Sequence, residues 1–97
     1  MHRALLERRI RDVHARLVRA REDLAVLDEQ LVVVLESADE ARVRSLVAET
    51  PLAAHEHSEA ARHADAMSKA RAILAGTVID LEHRQDELLA DVATGRS

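Results

Sequence analysis

The fold class follows from residues 5–38, which read LLERRIRDVHARLVRAREDLAVLDEQLVVVLESA. Apolar side chains recur there at alternating intervals of four and three residues, at Leu6, Ile10, Val13, Leu17, Ala20, Leu24, Leu27, Leu31, Val34 and Ala38. This spacing fills the a and d positions of a heptad repeat, which lie on one stripe of a helix. The sequence therefore predicts a first helix over about 2–36 with a coiled-coil seam.

A second apolar stripe with the same spacing lies in the last half of the chain, with Arg71 and Gln85 at two of its positions. It comprises Ala60, Ala64, Met67, Leu74, Val78, Leu81, Leu88 and Val92. Thr50 is a favourable N-cap residue, and Pro51 is tolerated at the first helical position because its missing N–H would have no partner there. We therefore expect a long helix over about 51–93.

The segment between the two stripes allows two interpretations. Ser37 and Glu40 have the spacing of a capping box, which predicts that the first helix ends near Glu36 and that a short helix covers about 38–49. In the alternative, the first helix continues unbroken and Ser37 is exposed on it.

Charge favours an antiparallel arrangement of the two long helices. Residues 1–21 contain seven Arg against Glu7 and Asp12, a net charge of +5. Residues 80–91 contain five acidic side chains against Arg84, a net charge of −4. The prediction is an all-α, antiparallel coiled-coil helical hairpin with a short connecting helix, in a single domain over 1–97. Its seam should join Leu17, Leu24, Leu27 and Leu31 to Leu74, Val78 and Leu81.

A single hairpin does not bury all of the apolar residues. Residues 24–35 are apolar nearly all round, so a helix there must be covered on more than one side. The predicted interaction surface comprises Val26, Val33, Leu35, Val43 and Leu46. A second copy of the chain would cover it in a four-helix bundle, and another protein is the alternative partner.

Composition narrows the possible functions. The chain has no Cys, Phe, Trp or Tyr, which excludes disulfides and thiolate zinc sites. No phosphate-binding loop or nucleophile motif occurs, so we expect a non-enzymatic protein without a cofactor. The longest apolar run, Leu31 to Leu35, is too short to span a membrane, and no signal peptide pattern is present, so the sequence predicts a cytoplasmic protein.

Three side chains at the start of the last helix have a spacing that suggests metal ligands. His55, Glu59 and His63 lie at i, i+4 and i+8 on one helical face. The outer two are about 12 Å apart along a helix, too far for one ion. We therefore expect a solvated polar face and no bound metal, and a metal-binding module stays an alternative.

The basic N-terminal third offers another alternative. Arg8, Arg11 and Arg19 lie off the seam and could follow a phosphate backbone. The net charge of −4 and the absence of aromatic side chains for base stacking disfavour nucleic-acid binding. The sequence favours a structural or adaptor protein that associates with itself or with another protein.

Overall fold

The computed structural model describes residues 2–95 and has two helices in that range, α1 (His2–Ala48) and α2 (Pro51–Ala93). The predicted all-α class is confirmed, and the two helices make hairpin-like contacts. These contacts divide the chain into two compact units. We call Met1–Leu24 with Ile73–Ser97 the terminal unit, and Ala25–Ala72 the turn unit.

The terminal unit contains a core of large aliphatic side chains. Its most buried members, Leu17 and Leu88, are each 1% exposed. The rest of the buried cluster is Leu6, Val13, Ala20, Val78 and Leu81, with Ile10, Leu24, Leu74 and Val92 packed against it. All are positions of the two predicted stripes, so in this unit the heptad spacing identifies the core.

Polar contacts between the helices of the terminal unit agree with the antiparallel direction. The Arg21 guanidinium donates to the Glu82 carboxylate at 2.9 Å. The Gln85 side-chain nitrogen lies 3.3 Å from His14 Nδ1. The basic segment of α1 therefore lies beside the acidic segment of α2, as the charge pattern predicts.

The turn unit follows the same spacing with small residues. Its buried apolar residues are Ala41, Ala53 and Ala64, while Leu27, Leu31 and Val34 are half-buried. Because alanine side chains reach only a short distance, they bury little area even where the helices contact each other. Burial within this unit is correspondingly small.

The predicted break at Ser37 and the short helix over 38–49 are wrong. The first helix is continuous to Ala48, and Ser37 is exposed on it. The four-three spacing does not stop after Val34, because Ala38, Ala41 and Ser45 continue it in buried or half-buried positions. These small residues give a weak hydrophobic signal. Without Gly or Pro nearby, nothing in the backbone ends the helix there.

A consequence of the continuous helix concerns Val43, Leu46 and Val47. A separate short helix could have folded back and covered residues 24–35 with these side chains. They belong to the same helix as residues 24–35 and cannot pack on it, and all three are exposed.

The turn between the helices is made by Glu49 and Thr50. Glu49 adopts φ 52°, and its N–H donates to the Ser45 carbonyl at 3.1 Å. This left-handed conformation is the common way to end a helix, although glycine usually provides it. Thr50 Oγ1 accepts from the Ala53 N–H at 3.1 Å, which confirms the predicted N-cap before Pro51.

Candidate functional site

A group of large apolar side chains in the turn unit is exposed to solvent. We call it the interaction face, and it comprises Val26, Val32, Val33, Leu35, Val43, Leu46, Val47 and Leu52. The five residues predicted as an interaction surface are all among these. Val33 is 61% exposed and Leu46 is 65% exposed. The structure therefore leaves the predicted surface open, and its role in binding stays a prediction.

Helical geometry explains why this face is exposed. The seam of α1 takes one residue every three or four, and Val26, Val33 and Val47 each precede a seam position by one residue. Such residues point away from the partner helix, since each step along a helix turns by about 100°. Seven of the eight members therefore lie on the parts of α1 that α2 does not cover.

Every member of the interaction face is substantially exposed. The exposed fractions range from 46% at Val43 to 80% at Val47. Soluble proteins rarely leave many large apolar side chains uncovered in one region. The interaction face is thus a candidate surface for a protein partner.

An open apolar cleft lies beside the turn, within the turn unit. Its volume is about 350 Å³, and Val43, Val47, Leu52 and Ala53 are among the residues that line it. It can accept apolar side chains of a partner.

Acidic residues separate the valines of the interaction face. Glu29, Glu36 and Glu40 are exposed on the same part of α1. Beside them, Arg71 Nε donates to Asp28 at 2.7 Å, and both side chains are about half exposed. This hydrogen bond, with the attraction between the two charges, raises the pKa of Arg71 above its ordinary value, so the guanidinium stays charged. The face therefore combines apolar contact with negative charge.

The metal-ligand candidates do not converge. His55, Glu59 and His63 are exposed, and the Glu59 carboxylate accepts a hydrogen bond from Arg62. Among residues 2–95 no group of three His, Cys, Asp or Glu side chains is arranged to hold a metal ion. The three residues lie along one helix, as their spacing requires.

The predicted nucleic-acid contacts lie in the terminal unit. Arg8, Arg11 and Arg19 are exposed, and none of them forms an ion pair with another described residue. The acidic segment of α2 pairs instead with Arg21, which lies closer to the seam. The three guanidinium groups are therefore open to an anionic partner.

Sequence reasoning missed the small-residue half of the seam. Ala41 and Ala53 are buried, and His57 is half-buried at a position that continues the spacing of α2. These seam positions could have been found from the spacing alone, because steps of three and four residues continue without a break from Ala38 to Ser45 and from Ala53 to Ala60. Alanine and serine carry too little hydropathy to make that interval visible in a search for apolar residues.

Comparisons with protein-family models, curated proteins and solved structures find no match to this chain. Within residues 2–95, neither helix has a stretch long and apolar enough to cross a membrane.

Proposed function

We propose that the protein is a non-enzymatic structural or adaptor protein that acts by protein–protein association, and that it associates with itself through coiled-coil surfaces into a four-helix bundle. The interaction face supports this proposal. Large apolar side chains exposed in such number are costly in water unless a partner covers them.

The contrast between the inside and the outside of the turn unit gives further support. Alanines occupy its buried positions, Leu27, Leu31 and Val34 are half-buried at the seam, and eight further valines and leucines are exposed. If hairpin stability alone determined the sequence, large apolar side chains would be expected at the seam and not also on the outer side. Their location on the outer side is typical of a surface that is buried on association.

A pair of substitutions tests the proposal. Val26→Glu with Val33→Glu places two charges in the interaction face without changing the seam. The doubly substituted protein should remain helical and become monomeric, because burying unpaired carboxylates on association is unfavourable. Light scattering would measure the mass, and circular dichroism would measure the helix content.

Ala61→Glu with Ala72→Glu is the matched control, since both alanines are exposed on α2 and the change in net charge is the same. This control should keep the mass of the unmodified protein. Equal dissociation by both pairs would show that net charge, and not the interaction face, governs association.

Nucleic-acid binding is a second candidate function, favoured by the exposure of Arg8, Arg11 and Arg19. Its test is retention on a polyanion column at increasing salt, because phosphate contacts are lost steeply as salt rises. Retention that persists at physiological salt and is lost after Arg→Ala changes at the three positions would support it. Elution at low salt would exclude it.

A further inference from the structure

The cleft beside the turn opens on one side of the turn unit. Arg44 and Val47 line it from α1, and Leu52 and Glu56 line it from α2. Residues seven apart in a coiled coil have the same orientation, so this side can be followed away from the turn in steps of seven residues. We call it the cleft side. All of its members within the turn unit are exposed.

The residues of the cleft side lie at matching levels on the two helices. The cleft sets the first two levels, and Arg71, which donates to Asp28, confirms the pairing farther from the turn. Each step of seven back along α1 is matched by a step of seven forward along α2, because the two helices are antiparallel within the unit. The levels are Val47 with Leu52, Arg44 with Glu56, Glu40 with Glu59, Ser37 with His63, Val33 with Ala66, and Gln30 with Ala70.

Charges of opposite sign face the cleft from its two walls. Arg44 lies on the α1 wall and Glu56 on the α2 wall, and neither forms an ion pair with another residue in the range 2–95. The other carboxylates of the cleft side belong to Glu40 and Glu59, and Glu59 accepts a hydrogen bond from Arg62. Each wall of the cleft therefore carries a charge that the opposite wall of another copy would attract.

We infer that a second copy of the chain covers the cleft side, with the turns of both copies at the same end of a four-helix bundle, so that α1 of each turn unit lies on α2 of the other. The inference rests on the proposed function and adds to it the side, the helices and the direction. A two-fold axis parallel to the helices produces this arrangement. Residues at the same level then face each other across the two copies.

The cleft side is complementary to itself in this arrangement. Arg44 of each copy faces Glu56 of the other, which gives two ion pairs across the axis. Val47 faces Leu52, and Val33 faces Ala66, so apolar side chains meet apolar side chains.

The remaining levels are polar. Ser37 faces His63, and Gln30 faces Ala70, where the small alanine leaves room for the longer side chain. The level of Glu40 and Glu59 brings two carboxylates together, and the hydrogen bond from Arg62 to Glu59 lowers the cost of that contact.

Other arrangements of two turn units lose these matches. With the turns at opposite ends, α1 lies on α1. Centred on the cleft, that arrangement places Arg44 against Arg44 and Glu56 against Glu56, and centred near Ser37 it places Glu40 against Val33. Pairing through the opposite side of the turn unit places Leu35 against Asp65, which already pairs with Lys69. Like charges in contact and a carboxylate buried against an apolar side chain are both unfavourable.

Disulfide cross-linking tests the pairing directly, because the chain has no cysteine. Protein with Val33→Cys, mixed with protein with Ala66→Cys, should form a disulfide-linked heterodimer under mild oxidation. The matched control mixes Val33→Cys with Leu52→Cys. Leu52 lies on the same side of α2 as Ala66 but about 20 Å along the helix from it, beyond the reach of a disulfide. We expect cross-linking to be at least about tenfold faster in the first mixture.

Cross-linking at similar rates in both mixtures would overturn the pairing of the two sides. Rapid linking of the Val33→Cys protein to itself would place α1 on α1 and overturn the direction. Light scattering of the same samples under reducing conditions separates these results from a failure of the proposed function. A reduced dimer that does not favour the first mixture would contradict the inference alone, and a reduced monomer would contradict both.

A charge exchange provides an independent test. Arg44→Glu and Glu56→Arg should each weaken the dimer about tenfold, because each creates two repulsive contacts across the two-fold axis. The two changes in one chain restore both contacts and should return the dissociation constant to within about threefold of the original. Arg42→Glu, on the other side of the α1 seam, is the matched control and should leave the dissociation constant unchanged. If the doubly exchanged protein is as weak as the single variants, Arg44 and Glu56 do not face each other.

Discussion

The terminal unit and the turn unit share one sequence spacing but distribute their large apolar side chains differently. In the terminal unit, Leu17 and Leu88 are buried between the helices. In the turn unit, the buried apolar residues are alanines, the seam residues Leu27, Leu31 and Val34 are only half-buried, and eight other valines and leucines are exposed. The same heptad rule therefore produces an internally stabilised unit in one part of the chain and, in the other, a unit whose apolar surface is available to a partner.

The largest effect is expected in the core of the terminal unit. Leu17→Ala should lower the free energy of unfolding by roughly 2–5 kcal/mol, because it leaves a cavity among packed aliphatic side chains. Leu52→Ala is the control: this leucine is 67% exposed at the turn, and its loss should cost less than about 0.5 kcal/mol in the monomer. Urea unfolding at low protein concentration measures both. If the two substitutions lowered the free energy of unfolding equally, the contrast between the two units would be wrong.

A gain of volume should be harmful inside the turn unit. Ala64 is buried, so Ala64→Leu should lower the free energy of unfolding by about 1–3 kcal/mol through overpacking against α1. Ala61→Leu, three residues earlier on the exposed side, should change it by less than about 0.5 kcal/mol. Thermal unfolding of the two variants compares them. If Ala64→Leu stabilised the protein, the helices of this unit would have room for large side chains.

The prediction for Thr50 concerns local stabilisation at the start of α2. Thr50→Ala should cost about 1 kcal/mol, because the Ala53 N–H loses its acceptor. Thr77→Ala serves as a control, since its hydroxyl bonds only to the Ile73 carbonyl within the same helix. A cost at Thr50 no larger than that at Thr77 would mean that the cap does not contribute to the turn unit.

Much of the fold follows from the sequence wherever seam residues are large. Leu17, Leu81 and Leu88 mark the terminal core because their hydropathy and spacing agree. The break predicted at Ser37 is wrong because a Ser-x-x-Glu sequence is compatible with the middle of a helix as well as with its start. The exposure of Val26 and Val33 could be predicted from helical periodicity, whereas the left-handed turn at Glu49 could not, because glutamate has no preference for that conformation.

The smallest expected effect is at that turn. Glu49→Gly should raise the free energy of unfolding by about 0.5 kcal/mol, because glycine adopts a positive φ without the steric cost that glutamate bears. Ala48→Gly, at the last residue of α1, should instead lower it by about 0.5–1 kcal/mol. Urea midpoints of the two variants should shift in opposite directions. A shift in the same direction would contradict the left-handed conformation of Glu49.

The most direct test of the interaction face is the mass of the unmodified protein in solution, measured by light scattering across a series of concentrations. We predict twice the mass of one chain at high micromolar concentration, with dissociation on dilution. A mass of one chain that persists at high micromolar concentration would contradict self-association through the interaction face.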